Sequence, residues 1–198
     1  MRDRVGMIER PSKADVARRV WTGLLRVARL TCAVAALLSL PVVAGAQDVT
    51  EPALKAAFIY NFAIFTTWPA GTVPAAGPLV MCVIGDAAVG DALEQMVKGR
   101  VIAGRTITVS LVPVGGPRRV CHAEYVSGVT AGQLAQIIAG VRDAPVLTIS
   151  DLDGFTTAGG IVQLFFENSR LRFNVKLESA KRADLQISSK LLVLSKPK

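Results

Sequence analysis

Few side chains in this sequence could carry chemistry, and they fall into two groups. Cys121 and His122 are adjacent, and Cys82 is the other cysteine beyond the first 46 residues. The second group is Ser150-Asp151, with Asp153 and the pair Gly159-Gly160 close behind. Nucleophilic catalysis needs a nucleophile, a base and an orienting group within reach. His122 is the only histidine, and beside a cysteine it reads more simply as a strand residue at a crosslink. Ser150 and Asp151 stand at a strand end, where open α/β sheets place ligands, although Ser-Asp is also a common turn. Asp151 and Asp153 could serve as a carboxylate pair for metal or acid–base work, or as a solvated turn. Gly159 and Gly160 could offer backbone N–H groups to an anion. No Gly-Lys-Ser/Thr and no Gly-x-Gly-x-x-Gly follows. Two cysteines and one histidine make a poor metal set. The expectation is no enzyme, no cofactor and no metal, with a hydrolase built on Asp151 and Asp153 as the weak competitor.

The elements that must position these residues follow from periodicity. Thr50-Glu51-Pro52 opens a helix with a capping hydroxyl, an acid and Pro in the first turn. Leu54, Phe58, Asn61, Phe65 and Trp68 recur at helical spacing, and Pro69 stops the helix. Leu79 to Ile84 is a buried strand and Ala88 to Val97 a helix. Gly99 to Gly104 reads as a connector. Thr106 to Val112 and Cys121 to Val126 are strands, Thr130 to Ala139 a capped helix, and Pro145 to Ser150 a further strand. Ile161 to Phe166 and Leu171 to Val175 form a hairpin, with Arg170 and Arg172 on one face and Leu171 and Phe173 on the other. A helix starts near Glu178, and Leu185 to Leu194 reads as a terminal helical segment on the sheet. Strands alternating with helices give an α/β fold: a mostly parallel sheet flanked by helices, with a C-terminal antiparallel hairpin.

Residues 1–46 read as a secretory signal peptide. Eight basic residues precede the apolar run Leu30–Val43, and Ala44-Gly45-Ala46 is a small-x-small cleavage site. About 14 apolar residues are short for a spanning helix, and a retained anchor is the alternative. Arg18-Arg19 raises twin-arginine export as a second route. The full chain carries 23 basic and 15 acidic residues. Subtracting the leader's eight and three leaves 15 and 12 in residues 47–198, a charge of +3. Arg118-Arg119 and Lys181-Arg182 are isolated pairs, so no basic patch for nucleic acid emerges. Residues 47–198 make one ordinary domain. Two cysteines in an oxidising space favour one Cys82–Cys121 disulfide over two buried thiols.

Several blocks then resemble the YfiR-like periplasmic family. They are Ala57-Phe58-Ile59-Tyr60-Asn61-Phe62-Ala63-Ile64-Phe65-Thr66-Thr67-Trp68-Pro69; Val146 to Asp151 with Gly154-Phe155 and Gly159-Gly160-Ile161; and Arg170 to Val175 with Ile187 to Leu192. Cys82 and Cys121 sit where that family tends to have a pair. Lys176 departs from the Asn usual there. The resemblance implies a periplasmic regulator that holds an inner-membrane diguanylate cyclase inactive through its periplasmic sensor domain. Sequestration by an outer-membrane lipoprotein, or redox stress on the disulfide, would release the cyclase and raise cyclic di-GMP, favouring biofilm. It also implies a homodimer. A regulator without an active site needs exposed apolar surface. The first candidates are Glu167, Leu171 and Phe173 on the hairpin, with core packing of Leu171 and Phe173 as the alternative. Tyr60 and Trp68 have polar handles suited to a rim. Ser150, Asp151, Gly159 and Gly160 are the candidate ligand contacts of a sensor module.

Overall fold

The computed structural model describes residues 49–116 and 120–196. The segment read as a signal peptide and the Arg118-Arg119 pair lie outside the described residues. The chain runs α1 (Glu51–Ile64), β1 (Thr66–Thr67), β2 (Leu79–Ile84), α2 (Ala87–Val97), β3 (Val101–Ile102), β4 (Arg105–Val112), β5 (Ala123–Val126), α3 (Ala131–Ala139), β6 (Leu147–Ser150), β7 (Val162–Glu167), β8 (Arg170–Val175), α4 (Leu177–Arg182), β9 (Gln186–Ile187) and α5 (Ser189–Leu192).

Seven strands form one sheet in the order β3-β4-β2-β5-β6-β7-β8. The five from β4 to β7 are parallel neighbours, and β3 and β8 add antiparallel edges. The uninterrupted apolar run of β2 follows from its central place, with both faces covered. The side-chain period of two sorts the strands into two cores. Met81, Val83, Tyr125, Ile149, Leu164 and Phe173 pack with Ile59, Phe62 and Leu93 of α1 and α2. Ile84, Val126 and Phe155 pack with Leu134 and Ile138 of α3 on the opposite face.

Local chemistry sets the element ends. Thr50 caps α1 through the Ala53 N–H, and Thr130 and Gln133 close a reciprocal capping box on α3. Asn168 and Ser169 both take positive φ (50° and 59°), the two-residue turn that matches strand twist.

Four segments differ from the sequence reading. The first helix ends at Ile64, ahead of Pro69, because Thr66–Thr67 leaves it to pair with β9. Gly99 to Gly104 is a small hairpin, with Ala103 and Gly104 at positive φ turning β3 into β4. The third expected strand begins at Ala123, two residues late, although His122 still bonds across to Val80. Leu185 to Leu194 is not one helix. Asp184 at φ 54° ends α4, β9 pairs with β1, and Ser188 then caps a single helical turn. The apolar residues there suit either period, and pairing with the distant β1 decides the outcome.

Candidate functional site

The parallel strands β2, β5 and β6 end along one rim of the sheet, and Ser150 and Asp151 leave β6 there. The Ser150 hydroxyl donates to the Val126 carbonyl at 2.6 Å and accepts the Leu152 N–H at 3.0 Å. It braces a turn and faces no base. Asp151 Oδ2 receives Lys55 Nζ at 2.6 Å, and the same ammonium reaches Glu51 at 2.6 Å. Burial alone would raise the Asp151 carboxyl, but the Lys55 bond and charge outweigh it and hold it below the usual range. Burial alone would lower Lys55, and its bonds to Asp151 and Glu51 raise it instead. Burial pushes the Tyr125 phenol up, and the Asp151 charge adds to that. Tyr125 Oη and Asp151 Oδ1 are both buried, and neither has a partner at full hydrogen-bond geometry among the described residues. The rim is therefore an internal strap from α1 to the sheet. Lys55 escaped the sequence reading; its trace was one cation inside an otherwise apolar helix.

Gly159 and Gly160 have a packing role. Their amides donate to the carbonyls of Thr156 and Phe155 at 3.2 and 3.0 Å, so both N–H groups are used inside their own loop. A Cβ on Gly160 would lie 2.1 Å from the Phe155 ring. Asp153 is exposed and does not share the Asp151 environment.

Cys82 and Cys121 form a disulfide with a Cα–Cα distance of 5.8 Å. It staples β2 to the start of its neighbour β5. His122, 2% exposed, locks the same place. Its Nδ1 accepts the Val80 N–H at 2.9 Å, which leaves the ring proton on Nε2 facing the Thr72 carbonyl at 3.3 Å. Burial lowers the histidine from its ordinary value; the Thr72 bond opposes this and Arg105 adds to it. Trp68 Nε1 donates to the His122 carbonyl at 3.0 Å, so the aromatic handle expected at a rim is turned inward.

The hairpin separates its candidates. Leu171 and Phe173 are 7% and 6% exposed, and Phe173 meets Phe58 and Phe62 edge-to-face at 6.1 and 5.0 Å. Their alternation points them under α1, so in the monomer they are core, not docking surface. Glu167 stays accessible, bonded to Lys196 and 4.0 Å from Arg172 Nε. Phe166 was overlooked: it is 49% exposed beside Glu167. Its signal was an aromatic two residues from the turn. Tyr60 is half-buried beneath Arg100, whose Cζ lies 5.1 Å from the ring centroid.

This scaffold matches a family model described as YfiR/HmsC-like over residues 52–196. The chain belongs to the YfiR/HmsC-like family. The matched span holds every block on which the resemblance was read. No individual curated protein matches the sequence. At the level of the YfiR/HmsC-like family, membership means a periplasmic, non-catalytic regulator linked to a diguanylate cyclase. Among the described residues no helix is long and apolar enough to cross a membrane. Within this YfiR/HmsC-like domain, Glu167 and Phe166 mark one exposed corner, whereas Tyr60 and Trp68 are held by Arg100 and His122 elsewhere.

Proposed function

We propose that the protein binds the periplasmic sensor domain of an inner-membrane diguanylate cyclase and holds the enzyme inactive, lowering cyclic di-GMP. Family membership carries this reading. The disulfide supports it, because such a crosslink persists in an oxidising compartment. So does the spent chemistry of the rim, where Ser150, Asp151 and Lys55 serve the fold. The contact surface we assign is the hairpin corner, with Phe166 as apolar anchor and Glu167 as charged rim. A homodimer as the inhibitory form, and an outer-membrane lipoprotein that draws the protein away, complete the proposal. Export through a cleaved leader ending at residue 46 would bring it to its target.

The test is capture of a membrane cyclase from detergent-solubilised cells, with cyclic di-GMP measured in parallel. Wild-type protein retains the cyclase and keeps the nucleotide low. Phe166→Asp, which alters an exposed side chain, loses both while melting normally. A Phe166→Asp variant that captures and represses like wild type removes the hairpin corner from the mechanism. Failure of the wild type to capture any cyclase removes the function itself.

A further inference from the structure

The sheet face turned away from α1 is unexpectedly polar near the hairpin. Gln163 and Asn174 stand opposite each other across β7 and β8. Thr156 Oγ1 lies 3.5 Å from Gln163 Oε1. All three are buried, at 3%, 6% and 6% exposure for Gln163, Asn174 and Thr156. Asn174 Oδ1 has no hydrogen-bond partner among the described residues. A buried acceptor left unpaired is costly to a fold and calls for a reason.

Thr156 and Asn174 also line a cavity of about 590 Å³. That falls within the range of small-molecule sites. Its other walls include Thr157, Lys176, Ser195 and Lys196. Two ammonium groups and three hydroxyls thus stand around the Asn174 amide. Glu178 offsets one of the two positive charges. Lys196 is engaged by Glu167, so of these two lysines Lys176 is the one with no ion pair among the described residues.

We propose that this cavity binds a small organic anion that also carries a hydrogen-bond donor, a hydroxycarboxylate being the simplest case. The carboxylate meets Lys176 and the threonine hydroxyls, and the donor meets the Asn174 amide. Lys196 joins the cavity wall to Glu167 at the hairpin corner, so occupancy would be felt at the surface assigned above to the cyclase. The site itself stands apart from that partner reading, because it is read on the purified protein alone.

The probes are malate, succinate and inorganic phosphate, each followed by thermal shift and calorimetry at constant ionic strength. Malate raises the melting temperature saturably. Succinate, which lacks only the hydroxyl, binds about tenfold more weakly, the equivalent of one hydrogen bond. Lys176→Gln and Lys196→Gln each weaken malate about tenfold, whereas Lys190→Gln, on α5 and outside the cavity walls, leaves it unchanged. A malate effect no larger than that of sodium chloride overturns the site. So does a malate affinity equal in wild type and in both cavity variants. Succinate or phosphate binding as tightly as malate overturns the assigned ligand class.

Discussion

Histidine 122 shows how much one residue can hold when its neighbours leave it a single protonation state. Its Nδ1 is occupied by the Val80 N–H, so protonation there breaks a bond at the edge of β2. Because burial depresses the folded value below the ordinary 6.5, the unfolded chain takes up protons first as pH falls. The neutral ring's contribution is complete above pH 6.5 and is lost as pH drops toward the folded value. Stability should decline from pH 7.5 to pH 5.5 by up to about 1.4 kcal/mol per unit below 6.5. Urea melts check this, and His122→Gln should flatten the slope. The Lys55–Asp151 strap does not interfere in that window. The depressed Asp151 contributes above its unfolded value of 3.8 and fails only in stronger acid. The raised Lys55 contributes below 10.5 and fails only in alkali. Removing Lys55 leaves Asp151 charged in a largely covered site, so Lys55→Ala should cost about 2–4 kcal/mol. Glu51→Ala, at the exposed end of the strap, should cost less than about 1 kcal/mol. Equal losses in the two variants would show that burial of the Asp151 charge is not what the lysine offsets.

At the level of elements, the hairpin divides core from surface within six residues. Phe173→Ala removes a ring packed against Phe58 and Phe62 and should destabilise by about 3–5 kcal/mol. Phe166→Ala, on a half-exposed ring, should stay within about 1 kcal/mol in the same denaturant melts. Comparable losses would mean that Phe166 is packed in solution. The contrast also explains what the sequence made legible. Long periodic runs announced α1, α3 and the hairpin, because burial on one face writes a period into the residue types. Two-residue strands such as β3 and β9 write no period, and β9 pairs with β1, far back along the chain. The disulfide was readable from the cysteine pair together with the oxidising space that the leader implies. The strap was not, since Lys55 and Asp151 are 96 residues apart and meet only through the sheet. At Gly159-Gly160 the sequence is ambiguous for a related reason: glycine marks a close approach as readily as a binding loop, and the neighbours are Ile138 and Phe155.

For the whole molecule, the disulfide connects stability to regulation. Cys82 and Cys121 are 39 residues apart, and the bridge joins adjacent strands in the middle of the sheet. In the chain-entropy picture a loop of that length contributes about 3–4 kcal/mol. That is a large share of the 5–15 kcal/mol that holds a typical domain. Cys82→Ser should therefore lower the melting temperature by roughly 10 °C or more. Wild type measured with reductant should move in the same direction. His122 and Trp68 hang on the same junction, so the loosened region includes the α1–β2 connection as well as the strands. The hairpin begins two strands beyond β5, across β6, and is packed by its own aromatic cluster under α1. A regulator that grips its cyclase through that corner should keep binding while the domain stays folded and lose its hold once the population unfolds. Cyclic di-GMP in cells carrying Cys82→Ser should thus match wild type at low growth temperature and rise as the variant's melting range is approached. A rise at every temperature, with the variant still folded, would place the grip at the disulfide junction and away from the hairpin.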